Sequence, residues 1–191
     1  MLHNFNLGVT HMKSVCVYLG AKLGNSPDFK DAVVLLGQKI THANFRLVYG
    51  GSSLGLMGLL ATTVIGLGGK VTGIIPESLI TQEQPLNSLD ELIITRTMQE
   101  RKLLMQQKSD AFIVMPGGLG TLEEAFDTWN AIKIGLLNKP LGFLNIDGYF
   151  DGLFSFITHT EMQGFVSKPQ VQIAKINACP SLLLSELFTC D

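Results

Sequence analysis

Two carboxylates, Glu123 and Glu124, follow directly on a glycine-rich turn, PGGLGT at 116–121, and Arg101 and Lys102 close a second stretch, MQERK at 98–102. Glycine lets main chain approach a ligand closely, and a helix that follows presents unpaired N–H groups at the positive end of its dipole. Gly117, Gly118 and Gly120, with the Thr121 hydroxyl, can therefore hold a phosphate without a lysine. A carboxylate one helical turn beyond an anchored ribose phosphate reaches the anomeric carbon, where it can stabilise an oxocarbenium-like charge and orient water. An arginine beside it can clamp the nucleotide or stabilise developing charge. Each feature also has a plain structural reading. Glycines make tight turns, glutamates in a first helical turn complement the dipole, and basic residues on a solvated helix face find i,i+4 partners. Arg101 and Lys102 in a first turn would oppose the dipole, and that local cost argues for function.

A second bend, GGSSLGLMG at 50–58, is also glycine-rich, which makes Gly51 and Gly55 further candidates for an anion contact. Neither bend is a P-loop, because no GxxxxGK[ST] string occurs. Neither completes GxGxxG, and no acid about 20 residues later stands ready for a ribose. A dinucleotide is disfavoured and a mononucleotide phosphate fits better.

The elements that must position these residues alternate along the chain. Short β-branched runs predict strands at 14–19, 45–49, 70–75, 91–95, 111–115, 141–145 and 172–176. Longer helical patterns lie at 27–43, 56–67, 98–108, 121–137, 149–163 and 181–188. Ser26 caps the first helix and Pro27 opens it. The segment 77–90 reads as a loop with a helical turn. Such alternation predicts an α/β fold, Rossmann-like and doubly wound, with a mostly parallel sheet and helices on both faces. Ligands in such sheets sit beyond the carboxyl ends of the strands, where the strand order reverses.

With 191 residues, 46% hydrophobic and 16% charged, the chain predicts one domain with a sizeable core, preceded by a loosely ordered segment at 1–13. The net charge of −2 offers no basic footprint, so nucleic acid is not the expected partner. No charge occurs between Arg46 and Lys70, long enough for a membrane span, yet a strand running into a glycine bend interrupts it, so no membrane partner is expected. The first residues lack an apolar leader. Cys16, Cys179 and Cys190 form no CxxC pair and imply a reduced, cytoplasmic setting. His3, His11, His42 and His159 have no metal-ligand spacing, so no metal is expected.

Taken together, PGGLGTLEE (116–124), MQERK (98–102) and VYGGSSLGLMG (48–58) resemble the LOG family of cytokinin riboside 5′-monophosphate phosphoribohydrolases, long labelled lysine decarboxylases. The likeness runs from about residue 15 to 165, with VCVYLGAKLGNSPDF, GGKVTGIIPESL and NIDGYFDGLF in matching order. It implies a Rossmann-like homodimer that hydrolyses nucleoside 5′-monophosphates, AMP or N6-prenylated AMP, to free base and ribose 5-phosphate with no cofactor. By the same resemblance Arg101 and Glu124 are the catalytic pair. Gly51, Gly55, Gly117, Gly118, Gly120 and Thr121 contact phosphate, and Met98 and Lys102 line the nucleotide pocket, with Glu100 a weaker candidate. No lysine stands out as a pyridoxal-phosphate attachment point. The sequence departs from the family at Leu19-Gly20-Ala21 (usually Cys-Gly-Ser), at Ser52 (usually glycine) and at Thr97-Met98-Gln99 (usually Asp-Met-His). A non-catalytic nucleotide sensor or carrier on the same fold is the alternative reading.

Overall fold

A computed structural model describes residues 12–189. The expected loose segment at 1–13 lies almost wholly outside them, as do His3, His11 and Cys190. The elements run β1 (Ser14–Tyr18), α1 (Pro27–His42), β2 (Arg46–Tyr49), α2 (Gly55–Gly66), β3 (Val71–Pro76), α3 (Ile80–Glu83), β4 (Glu91–Thr95) and α4 (Met98–Gln107). Then come β5 (Ala111–Val114), α5 (Leu119–Lys133), β6 (Leu141–Leu144), α6 (Asp151–Met162), α7 (Lys168–Val171), β7 (Ala174–Asn177) and α8 (Pro180–Phe188). The short α7 was not expected. Ser167 and Gln170 open it with a reciprocal capping box, a signal readable only once the start is known. The α5 helix begins two residues earlier than its pattern suggests, with Gly118 as its cap.

All seven strands are parallel, in the order β4-β3-β2-β1-β5-β6-β7. The chain winds outward from β1 to β4 and then crosses back to place β5 on the other side of β1. Order therefore reverses between β1 and β5, and a crevice opens there because the connections leave in opposite directions. Alternate residues of β1 serve the two faces. Val15 and Val17 join the core with α1, α2 and α8, while Cys16 and Tyr18 join the one with α4, α5 and α6. The uncharged run 47–69 becomes β2 and α2, whose Leu56, Leu60, Ala61 and Val64 are almost fully buried. Each such side chain stabilises by roughly 1.5–3 kcal/mol, alanine less, which accounts for an apolar stretch without a membrane. Among the described residues no helix is long and apolar enough to cross one.

Candidate active site

A cavity of about 490 Å³ opens at the reversal point, between the ends of β1 and β5. Clefts of about 300–1,000 Å³ suit small molecules. Its wall includes Met98, Arg101, Gly117, Gly118, Gly120, Thr121 and Glu124 from the expected set. Gly51, Gly55 and Lys102 do not line it.

The two glycine bends differ in their free donors. At the start of α2 the amides of Leu56 and Met57 both donate to the Gly20 carbonyl, at 3.1 and 3.3 Å. That helix end is spent on the β1 loop. Gly51 (φ 80°) and Gly55 (φ 54°) shape the bend instead, and a Cβ on Gly55 would stand 2.3 Å from the Ala21 carbonyl carbon. At the start of α5 the cap is Gly118, which offers no side-chain acceptor, and the amides of Leu119, Gly120 and Thr121 are unclaimed among the described residues. Orphan first-turn donors facing a cavity make an anion site. Gly118 and Gly120 leave open space where a Cβ would be, whereas a Cβ on Gly117 would lie 2.1 Å from the Thr121 hydroxyl. The Tyr149 hydroxyl donates to the Gly117 carbonyl at 2.6 Å and holds the turn from the far side of the cleft.

Arg101 reaches the cavity from α4, and its Nη2 stands 3.2 Å from Glu124 Oε1 on α5. Both side chains are more than nine-tenths buried. The guanidinium also points Nη1 at the Met98 sulfur, 3.7 Å away, while its Nε is buried with no partner among the described residues. Burial pushes the Glu124 pKa up from 4.5 to about 7; Arg101 pulls it back, Glu123 and Glu83 push it up, and Lys102 lowers it slightly. Neither carboxylate is in the first turn of α5, so dipole complementation does not explain them. Arg101 is the fourth residue of α4 and completes its first turn, with its amide on the Thr97 carbonyl at 3.1 Å, while Lys102 lies just past it.

Lys102 turns away to Glu123 and to Asp127, the latter at 3.3 Å, and ties α4 to α5. Gln106 extends the tie, donating to Asp127 at 2.9 Å and to Thr128 at 3.3 Å, and Thr128 meets the Tyr18 hydroxyl at 2.8 Å. This ladder sets the register at which Arg101 meets Glu124. Glu100 works at the helix end: its carboxylate accepts from the Arg96 amide at 2.8 Å, and its own amide donates to the Thr97 cap at 3.1 Å. Thr97 thus performs the N-cap role that aspartate also performs. Ser52 is fully buried, accepts from the Leu54 amide at 3.1 Å and donates to the Glu83 carbonyl at 3.2 Å.

Lys22, Phe29, Glu83 and Tyr149 also line the cavity and were not singled out in the sequence, because Lys22 and Tyr149 lie in loops of no regular period, Glu83 ends the four-residue α3 and Phe29 lies in the first turn of α1. Gly50 was part of the second bend, but its reason is a contact. A Cβ there would lie 2.1 Å from Arg101 Nη2.

Comparison with known proteins adds to this geometry. Residues 57–187 match the family described as possible lysine decarboxylase. The chain is 41% identical over 155 residues to cytokinin riboside 5′-monophosphate phosphoribohydrolase LOG1 of Arabidopsis thaliana, covering 81% of this chain and 73% of that protein. It is 41% identical over 181 residues to LOG2 of the same plant, covering 94% and 85%. A probable enzyme of the same name, LOGL1 of Oryza sativa subsp. japonica, is 43% identical over 161 residues, covering 83% and 71%. Among solved structures, the molybdenum cofactor carrier protein of Chlamydomonas reinhardtii superposes with a TM-score of 0.70 at 18% identity, over 92% of this chain and 95% of that one. The molybdenum cofactor binding protein of Rippkaea orientalis gives 0.67 at 23%, over 94% and 99%. At those identities the likeness is one of fold.

Proposed function

This chain belongs to the LOG-type family of phosphoribohydrolases, and from that premise we propose that it hydrolyses the N-glycosidic bond of a purine nucleoside 5′-monophosphate, AMP or N6-prenylated AMP. The products are the free base and ribose 5-phosphate. One observation supports the reading above the others: the buried Arg101–Glu124 pair shares a cavity with the unclaimed amides of α5. A 5′-phosphate seated on Leu119, Gly120 and Thr121 puts the sugar against Glu124, in the second turn of the same helix. The C1′–N9 bond breaks with its electron pair leaving on the base, and water adds its oxygen to C1′. The water gives up one proton and the base gains one, so the sum is nucleotide plus water to base plus ribose 5-phosphate. Ionised Glu124 stabilises the oxocarbenium-like charge and orients the water, in a site dry enough to make that attraction strong. Arg101 keeps a fraction of Glu124 ionised against its burial, and its free Nε–H is available to the substrate. Chromatography of AMP incubated with the protein should show adenine and ribose 5-phosphate in equal amounts. Tight binding with no release of adenine would make the protein a carrier instead.

The active form is a homodimer in this proposal, and the protein works in a reducing cytoplasm, where Cys16 and Cys179 stay as thiols. Helices α4, α5 and α6 leave Leu103, Phe126 and Phe156 uncovered, at 53%, 38% and 61% exposure, and Phe165 just beyond α6 at 85%. Large apolar side chains grouped on one side of a fold mark an association surface. Light scattering at micromolar concentration should give twice the chain mass, and a monomer there would remove the dimer from the proposal.

A further inference from the structure

The cavity holds a second carboxylate that the hydrolysis leaves unused. Glu83 ends α3 and lines the wall, and its Oε2 is buried with no hydrogen-bond partner among the described residues. A buried acceptor without a donor is destabilising, more so when charged, so such an oxygen calls for a ligand or another explanation. The main chain beneath it is held firmly. The Glu83 carbonyl accepts from the Ser53 amide at 3.1 Å, the Ser52 hydroxyl at 3.2 Å and the Ser53 hydroxyl at 3.3 Å. The next residue, Gln84, takes a left-handed φ of 42°, a conformation that non-glycine residues adopt at a cost. The chain turns sharply there and aims Glu83 inward.

Another part of the cavity wall has the reverse polarity. Lys22 lines it, on the loop whose Gly20 amide donates to the Pro116 carbonyl at 3.1 Å, and that bond sets the loop against the phosphate turn. Among the described residues Lys22 has no carboxylate partner. The wall therefore offers an ammonium and amide donors and, separately, an unpaired acceptor. A nucleotide with its phosphate on α5 and C1′ at Glu124 extends its base toward the remaining wall, which Glu83 and Met98 share.

We propose that Glu83 accepts a hydrogen bond from the exocyclic N6–H of the purine, and that the site thereby selects 6-aminopurine nucleotides and rejects 6-oxopurine ones. The inference rests on the hydrolase reading for the pose of the substrate. AMP and its N6-monoprenylated form both keep an N6–H. A 6-oxopurine presents an acceptor at that position, which leaves two acceptors facing each other. Ser52 serves the same end, since its hydroxyl helps fasten the Glu83 main chain.

The test measures kcat/KM for AMP, IMP and N6,N6-dimethyl-AMP with the full chain and with Glu83→Gln. The unaltered protein should prefer AMP over IMP by about 100-fold and should treat the dimethylated nucleotide as poorly as IMP. Glutamine occupies almost the same volume; its NH2 can donate to the purine O6, while its carbonyl keeps only an uncharged, weaker acceptor for the N6–H. Glu83→Gln should therefore lose activity on AMP and gain it on IMP, narrowing the preference at least ~30-fold; a purely structural side chain would lower both substrates together. Equal use of AMP and IMP by the unaltered protein, or an unchanged ratio in Glu83→Gln, overturns the assignment. Equilibrium binding of AMP and IMP to the Glu124→Gln variant reads the same preference without turnover. Selective AMP binding that depends on Glu83 in a protein that never releases adenine would defeat the hydrolase reading and leave the Glu83 assignment standing.

Discussion

Replacing Glu124 by glutamine is expected to lower kcat on AMP by about 10³-fold while the protein still folds and still binds the nucleotide. The side chain keeps its shape but loses the charge that faces the anomeric carbon. Arg101→Ala should fall by a similar factor, because the remaining carboxylate, buried without its cation, is held protonated at neutral pH. Arg101→Lys should recover little, since a lysine cannot reproduce the fork that meets Glu124 and Met98 together. Near-normal turnover by Glu124→Gln would end the proposed chemistry.

The same residue ties activity and stability to pH. With its pKa raised to about 7 in the free protein, Glu124 is half ionised at neutrality, so log kcat/KM should climb with unit slope below pH 7 and level off above it. The nucleotide's own phosphate titrates near pH 6 and is corrected for by counting only its dianion as substrate. Stability runs the other way. Below pH 4.5 the carboxyl is protonated in the folded and unfolded chain alike. Between 4.5 and about 7 only the unfolded chain releases the proton, so the folded state loses ground as pH rises, and above 7 the loss is complete. Measured against Glu124→Gln by denaturant unfolding at pH 4 and pH 8, the unaltered protein should lose about 3 kcal/mol of relative stability. A pH-independent difference would mean that Glu124 is not held in a desolvated site.

Gly50→Ala is expected to abolish activity without unfolding the protein. The added Cβ would lie 2.1 Å from Arg101 Nη2 and 3.1 Å from the Met57 sulfur. Both atoms belong to flexible side chains, so the clash can be relieved by swinging the guanidinium aside, at a stability cost of about 1–2 kcal/mol. The swing takes Arg101 off Glu124, and kcat/KM should drop at least ~100-fold, approaching the loss in Arg101→Ala. Thermal unfolding and AMP turnover measured together decide the matter. Retained activity, or unfolding with no soluble product, would mean that the guanidinium is not seated against this glycine.

Much of the architecture was legible in the residue order because its causes are local. Two-residue alternation, helical periodicity and the punctuation by glycine and proline place six of the seven strands within one residue and the last within two. They also point to a reversal of strand order as the ligand's position. The residues proposed to bear chemistry were legible too, since a glycine turn opening a helix that carries two carboxylates is a pattern within nine residues. The choice between the two glycine bends was not. Both look like anion sites in sequence, and the difference is that the Gly20 carbonyl takes the donors of α2 and leaves those of α5 free. Lys102 and Arg101 are neighbours in the chain, yet one braces α4 against Glu123 and Asp127 while the other enters the cavity. Glu83, Gly50 and Tyr149 matter through contacts with residues far away in sequence. Local order thus determines which groups exist and on which element each one rides. Only packing determines which donors and acceptors remain unsatisfied, because that depends on every group within hydrogen-bonding distance in space, and a substrate is recognised by those that remain.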